Sequence, residues 1–221
     1  MTTLTVADDV NAAFGELHIV AVSVEALDNG SGWPEVEARL AAVERAGSSV
    51  DDDDPRIASW HAAYRRFGTN PRRQRPSVDA LTRRLTRTGR LPRINPLVDA
   101  YNLVSVTHVV PAGAFDLDAV DCEIVVRFAR PGDEFVPLGE PDSVEQPHDG
   151  EVVYADARGV LTRHWNHRDA DRTRVTPASH HVLVVLEAVA AAQHAAVDAA
   201  AEDLAALLGS RAKAVRVDRI R

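Results

Sequence analysis

The stretch LPRINPLVDAYNLV, running from Leu91 to Val104, constrains the fold more than any other part of the chain. Asn95 can cap a helix there, because its side-chain oxygen accepts a bond from a free backbone N–H. Pro96 takes the first helical position, where its missing N–H costs nothing. Asn95, Asp99 and Asn102 are spaced i, i+4, i+7, which stacks them on one helix face. Leu97, Val98, Tyr101 and Val104 lie elsewhere around the helix. The pattern reads as the wall of a polar pocket. A basic stretch leads up to it: Arg65 to Arg93 holds ten arginines and one acid, Asp79, a local charge of +9 in a chain of net charge −8. Such a stretch on an acidic body is either an electrostatic footprint for phosphate or a solvated arginine-rich helix.

With 221 residues, 45% of them hydrophobic and 26% charged, the composition is that of an ordinary globular protein. No apolar run approaches the ~18 residues of a membrane span. The start MTTLTVADDV has neither a basic opening nor an apolar core, so no signal peptide is expected. The single cysteine, Cys122, excludes a disulfide framework within the chain and a multi-cysteine metal site. A cytoplasmic protein is expected, with no membrane association. No internal repeat or long linker divides it, so residues 1–221 read as one mixed α+β domain.

In chain order, residues 1–13 read as a loose terminus and Glu16–Glu25 as a strand. Asp28–Gly32 is a turn, followed by an amphipathic helix from Pro34 to about Arg45 with Val36, Leu40 and Val43 inside. The acids Asp51–Asp54 read as a solvated loop and helix start, since four adjacent acids define no coordination geometry. Ile57–Phe67 is helical, and Trp60, Tyr64 and Phe67 share a core-facing side. Ser77 is expected to cap a helix that ends at Gly89. Ala112–Val120 reads as a loop, Cys122–Phe128 as a strand, and Glu151–Ala155 with Val160–Asn166 as a hairpin around Asp156–Gly159. Val182–Leu186 and Ala212–Asp218 are strands flanking a helix from Ala190 to Leu208 that ends at Gly209.

The chemistry is read from the same pattern. His164 and His167 fall on opposite faces of a strand and His180 and His181 are adjacent, so neither pair converges on a metal. Cys122 opens an apolar strand, where a buried inert thiol is the default. No nucleophile elbow or phosphate-cradling glycine loop is present. Hydrolysis by a positioned water remains open to oriented donors and carboxylates among Asn95, Asp99, Asn102, Asp116, Asn166, Asp169 and Asp171. The competing reading of the central asparagines and Asp99 is that they cap helices and tie loops. No cofactor or metal is expected.

Three blocks in order carry a resemblance: LPRINPLVDAYNLVSV, then PAGAFDLDAVDCEIVVRFA, then GEVVYADARGVLTRHWNHRD with RTRVT. Over about Arg66 to Leu186 the chain resembles the B3/B4 domain of the phenylalanyl-tRNA synthetase beta chain, and in particular the free-standing proteins made of this domain alone. The resemblance implies a three-layer α+β fold, a β-sandwich of unusual topology flanked by helices. It also implies editing, the hydrolysis of tyrosine wrongly attached to phenylalanine tRNA. Asn95, Val98-Asp99 and Asn102-Leu103 match the family's helix pattern. Pro111–Asp116 matches its PLHAFD segment, with Gly113 in place of the histidine at the editing pocket. The family's glycine-rich turn is altered here to HRDADRTRVT, where Asp169 or Asp171 falls near the acid that recognises the tyrosine hydroxyl.

The expected function is therefore that of a tRNA-binding or aminoacyl-tRNA-binding module, acting in trans as a deacylase if the site without its histidine is catalytic. Asn95, Asp99 and Asp116 are the catalytic candidates. Arg93, Asn102 and Gly113 would line one side of the pocket, and Asn166, Arg168, Asp169 and Asp171 the other. Arg72, Arg73, Arg75, Arg83, Arg84 and Arg87 would meet RNA phosphates. The alternatives are a non-catalytic binder of a free amino acid or other small molecule, and a partner domain for another protein of the translation machinery.

Overall fold

The computed structural model describes residues 4–30 and 32–220. Six helices and nine strands form three layers. The strands are β1 (Leu4–Val6), β2 (His18–Glu25), β3 (Ala112–Asp116), β4 (Ile124–Phe128), β5 (Val152–Asp156), β6 (Gly159–Arg163), β7 (Arg168–Asp169), β8 (Val182–Ala188) and β9 (Ala214–Ile220). The helices are α1 (Asp8–Ala13), α2 (Pro34–Ala46), α3 (Pro55–Arg66), α4 (Ser77–Thr88), α5 (Pro96–His108) and α6 (His194–Leu208). One sheet runs β1-β4-β5-β6-β7 and the other β3-β8-β2-β9. Every strand pairing is antiparallel except β1 with β4.

Strand alternation divides the core in two. Val20, Val22 and Val24 of β2, with Val182, Val184 and Leu186 of β8, pack against α2, α5 and α6. Ile19, Ala21, Leu183 and Val185 point the other way, into the space between the sheets, where they meet Ile124, Val126, Tyr154 and Leu161. The expected sandwich with helices outside is thus present. Trp60, Tyr64 and Phe67 of the α3 segment are buried in this second core, as their spacing predicts.

Helix α5 is the central element. Seven of its apolar residues, Leu97, Val98, Ala100, Tyr101, Leu103, Val104 and Val106, are buried. A helix that is apolar around most of its circumference belongs inside a protein. Its N-terminus is held by two buried amides. Asn95 Oδ1 accepts from Val98 N at 3.1 Å and from Asn29 Nδ2 at 3.2 Å, and Asn95 Nδ2 donates to Val175 O at 3.2 Å. Asn29 in turn accepts from Leu97 N at 2.9 Å and donates to Thr176 O at 2.8 Å. Three chain segments are tied at one point.

Several expectations change. Residues 4–13 are structured rather than loose, because β1 adds a parallel strand beside β4 and Val10 of α1 is fully buried; residues 1–3, and Ser31 in the Asp28–Gly32 turn, lie outside the described residues. Ala112–Asp116 is a strand, since its small residues fit beside the apolar β8. Ser77 does not cap α4: Pro76 precedes the helix and the Ser77 hydroxyl is buried without a partner. Gly89 does end α4, in the left-handed conformation. Cys122 is exposed with φ at 66°, and its strand starts only at Ile124.

Replacing Asn29 with alanine leaves Leu97 N and Thr176 O buried and unpaired, so the chain should lose about 2–4 kcal/mol of stability. Urea unfolding of the Asn29→Ala variant measures this. A loss below about 1 kcal/mol would show that the amide pair does not carry the helix start.

Candidate functional site

The polar face of α5 exists, but it faces inward. Asn95, Asp99 and Asn102 are all at most 7% exposed. Asp99 accepts from Ile94 N at 2.8 Å, which fixes the approach to the helix. Burial raises the Asp99 carboxyl despite that bond and the Arg93 charge. Asn102 makes no side-chain hydrogen bond among the described residues. Arg93 is turned outward to ion pairs with Glu37 at 3.0 Å and Glu44 at 2.8 Å. Beside Asp99 and Asn102, the buried Tyr101 hydroxyl is raised first by burial and then by the charges of Asp169 and Asp99.

β7 alternates at Arg168 and Asp169. Arg168 points to Glu140 at 2.6 Å and Glu145 at 3.2 Å, and Asp169 takes the opposite face of the strand. The Asp169 carboxyl has no hydrogen-bond partner among the described residues, and burial pushes it up to about 6. The other expected members of this side are elsewhere. Asn166 accepts from Tyr64 Oη at 2.8 Å and donates to Glu187 at 3.2 Å inside the sandwich core. Asp171 accepts from Gly139 N at 3.0 Å and pairs with Arg174. Asp116 accepts from Ser179 Oγ at 2.5 Å and from Asp118 N, closing a loop. Gly113 faces the space between the sheets, opposite to the helix-facing Ala112 and Ala114. A Cβ at Gly113 would meet only Val185, at 3.9 Å.

The arginines separate into two sets. Buried Asp79 takes Arg75 at 3.0 Å, Arg83 at 2.6 Å and His61 at 3.0 Å, and Arg83 also pairs with Asp52 of the acidic loop. Two of the six arginines expected at RNA are therefore neutralised within the fold. Arg72, Arg73, Arg84 and Arg87 are exposed and carry no ion pair among the described residues. The remaining acid at the end of the loop, Asp54, caps α3 through Arg56 N at 2.9 Å.

A second site was hidden in the sequence. A cleft of about 490 Å³ is lined by Thr69, Arg73, His148, Arg163, His164 and His167. The expected alternation of His164 and His167 fails, because β6 ends at Arg163 and the chain turns left-handed at His164 (φ 47°) and Trp165 (φ 66°). Both imidazoles then line one cleft, with ring centroids 5.7 Å apart. Two consecutive non-glycine residues in this region cost about 1–3 kcal/mol each and persist only where their surroundings over-determine them. Here Trp165 Nε1 donates to Glu187 at 2.6 Å, Thr162 Oγ1 donates to Trp165 O at 2.6 Å, and His164 N donates to Glu151 at 2.7 Å. Glu187 is fully surrounded, with Tyr154 Oη donating as well at 2.9 Å, and burial lifts its carboxyl to about 7 against those donors. Burial would also raise Glu151, but Arg163 and His164 hold it below the usual carboxylate range. The same burial lowers His164 to about 4, so its imidazole is neutral at physiological pH. No sequence spacing joins residues 69, 148, 151 and 164, which is why pattern reading missed the group.

Asp169 has a stability signature. Its folded value near 6 lies above the ordinary aspartate range, so the folded state binds the extra proton between about pH 4 and pH 6. Wild-type stability should fall as pH rises through that window. Asp169→Asn should be more stable than wild type by about 1–2 kcal/mol at pH 7.5, after screening, and equal to it at pH 4. Thermal melts at the two pH values test this; a variant with the same difference at both would show that Asp169 is not held in its neutral form.

Comparison with known proteins gives this geometry a context. The chain matches the B3/4 domain over residues 59–208. It is 32% identical over 152 residues to the phenylalanine–tRNA ligase beta subunit of Chromobacterium violaceum, covering 67% of this chain and 19% of that subunit. It is 45% identical over 87 residues to the same subunit of Anaeromyxobacter dehalogenans, covering 39% of this chain and 11% of that one. An N-terminal fragment of the phenylalanyl-tRNA synthetase beta subunit from Pyrococcus horikoshii shares the fold over 100% of this chain and 51% of the fragment, with a TM-score of 0.53 at 13% identity. No helix among the described residues is long and apolar enough to cross a membrane. The matched span holds α5, β3 and β7 together, and the chain belongs to the B3/4 domain family.

Proposed function

We propose that this chain binds aminoacyl-tRNA and hydrolyses the aminoacyl ester of mischarged tRNA in trans. The observation that carries this reading is the partnerless Asp169 carboxyl, raised by burial and acting electrostatically on the Tyr101 hydroxyl, within the family-matched span. A carboxyl near pH 6 is suited to take a proton from water at neutral pH. In the reaction, water adds to the ester carbonyl and gives its proton to Asp169. The ester C–O bond then breaks, the proton passes from Asp169 to the terminal ribose oxygen, and a free amino acid leaves. Asn95, Asp99 and Asp116 hold the surrounding loops rather than supply the base, because each is already engaged with backbone groups. Arg84 and Arg87 project from α4, which packs on α5, and with Arg72 and Arg73 they supply the phosphate contacts.

A non-catalytic binder of tRNA or of a free amino acid is the second reading. The observation favouring it is Gly113, which brings no side chain to the position where the resembling family has histidine.

The test is deacylation of a panel of correctly and wrongly charged tRNAs. The expected result is loss of the amino acid from one mischarged species, with a rate that rises through about pH 6 and then levels. Asp169→Asn should lower that rate by roughly 100-fold or more while leaving tRNA binding intact. Neutralising Arg84 and Arg87 together should reduce the salt slope of binding by about two. Binding without deacylation of any species would support the second reading, and binding indifferent to salt would remove tRNA from both.

A further inference from the structure

We infer that His148, His164 and Glu151, with Thr69, form a binding site for a divalent transition metal such as zinc. The four ligand atoms come from three distant parts of the chain and converge. Thr69 Oγ1 lies 2.9 Å from His164 Nδ1 and 3.2 Å from His148 Nε2. Glu151 Oε2 lies 3.5 Å from His164 Nδ1 and 3.6 Å from His148 Nε2. Zinc bonded to nitrogen and oxygen at about 2.0–2.1 Å separates its tetrahedral ligands by about 3.3–3.4 Å. Four of the six edges of such a tetrahedron are therefore already set to within half an ångström. Two imidazoles and a carboxylate are the donor set that zinc, nickel and copper(II) accept.

The surroundings orient these ligands as a metal site requires. His148 Nδ1 faces the carbonyl of Asp149 at 3.0 Å. A carbonyl only accepts, so Nδ1 carries the proton and Nε2 presents its lone pair to the cluster. Glu151 Oε1 accepts from Arg163 Nε at 3.1 Å and from the backbone N–H of His164 at 2.7 Å, while Oε2, the atom that faces both imidazoles, also accepts from Arg163 Nη2 at 2.8 Å and from the backbone N–H of His148 at 3.2 Å. His164 is aimed inward only because its backbone is left-handed, a conformation anchored through Trp165 on Glu187. In the metal-free chain Thr69 relays one hydrogen bond between the imidazoles; on binding, His164 Nδ1 releases its proton and both rings turn their lone pairs to the cation. The cleft reaches the group at Thr69, His148 and His164, and Thr69 or a water is the fourth ligand. Among the described residues one other cluster has ligand atoms this close, Asp52, His61 and Asp79, which offers one imidazole in place of two and carries two arginines, Arg75 and Arg83, on its carboxylates against the single Arg163 on Glu151.

This inference is independent of tRNA binding and is tested without it. Untagged full-length chain, stripped with chelator, is titrated with zinc by calorimetry, and with cobalt(II) followed by visible absorption. The expected result is one equivalent bound, a raised melting temperature, and the bands of four-coordinate cobalt without the thiolate charge-transfer band that Cys122 would produce. His148→Ala changes a loop residue whose side chain is 38% exposed, so the fold should survive while affinity drops by more than about 100-fold. His164→Asn keeps a residue that tolerates the left-handed turn and should lose affinity to a similar degree. Failure of the wild-type chain to bind either metal, or binding that both variants retain, would overturn the site; retained binding would place the metal elsewhere, at Asp52, His61 and Asp79 or at Cys122.

Discussion

The amide pair Asn29–Asn95 is the contact on which the rest of the structure depends. A helix buried around most of its surface must start inside the protein, where its first N–H groups have no water to meet. Asn95 satisfies one of them and Asn29 another. Their remaining amide hydrogens go to Val175 and Thr176, the segment that leads into β8. The sheet, the helix that covers it and the loop after α2's preceding strand are thus registered against one another through hydrogen bonds that tolerate little displacement. Asp99 continues the same logic by holding Ile94. The residues that first suggest chemistry on this helix mainly set its position.

A second constraint works on the other side of the sheet. Alternation along β8 sends Glu187 into the sandwich core, where a lone carboxylate would be costly. Tyr154, Trp165 and Asn166 each donate to it, so the buried carboxyl is accommodated by organising three side chains around it. One of these, Trp165, belongs to the left-handed turn after β6. The buried acid therefore holds the strained backbone that carries His164 into the cleft. Replacing this network with apolar residues could keep the core but would release the turn.

These two constraints explain what could be read in advance. The start of α5 was legible because Asn-Pro before an apolar run has one local meaning, and so were α2, α3 and the β5–β6 hairpin. The sandwich and the family came through the three sequence blocks together. Asn29 was not legible, since an asparagine in an Asp-Asn-Gly turn looks the same whether or not it reaches a helix 66 residues away. Glu187 sat in an apolar run as an apparent exception, with its three donors scattered from residue 154 to 166. The +9 stretch was overstated for the same reason: the acids that neutralise Arg75, Arg83 and Arg93 lie partly outside it, in Asp52, Glu37 and Glu44.

The segment from His164 to Asp169 is where these lines meet. Within six residues it holds a left-handed turn, a buried indole on Glu187, an imidazole pair on one cleft, and a partnerless carboxyl. The two-residue strand β7 makes this division work. It pairs Arg168 with Arg163 and Asp169 with Thr162, which aims one side chain at the cleft and the next at the opposite face. Arg168 is held by Glu140 and Glu145, so the register of β7 is pinned from the cleft side. The position of the partnerless carboxyl is therefore set by ion pairs on the opposite face of its own strand, through the single peptide unit that joins Asp169 to Arg168.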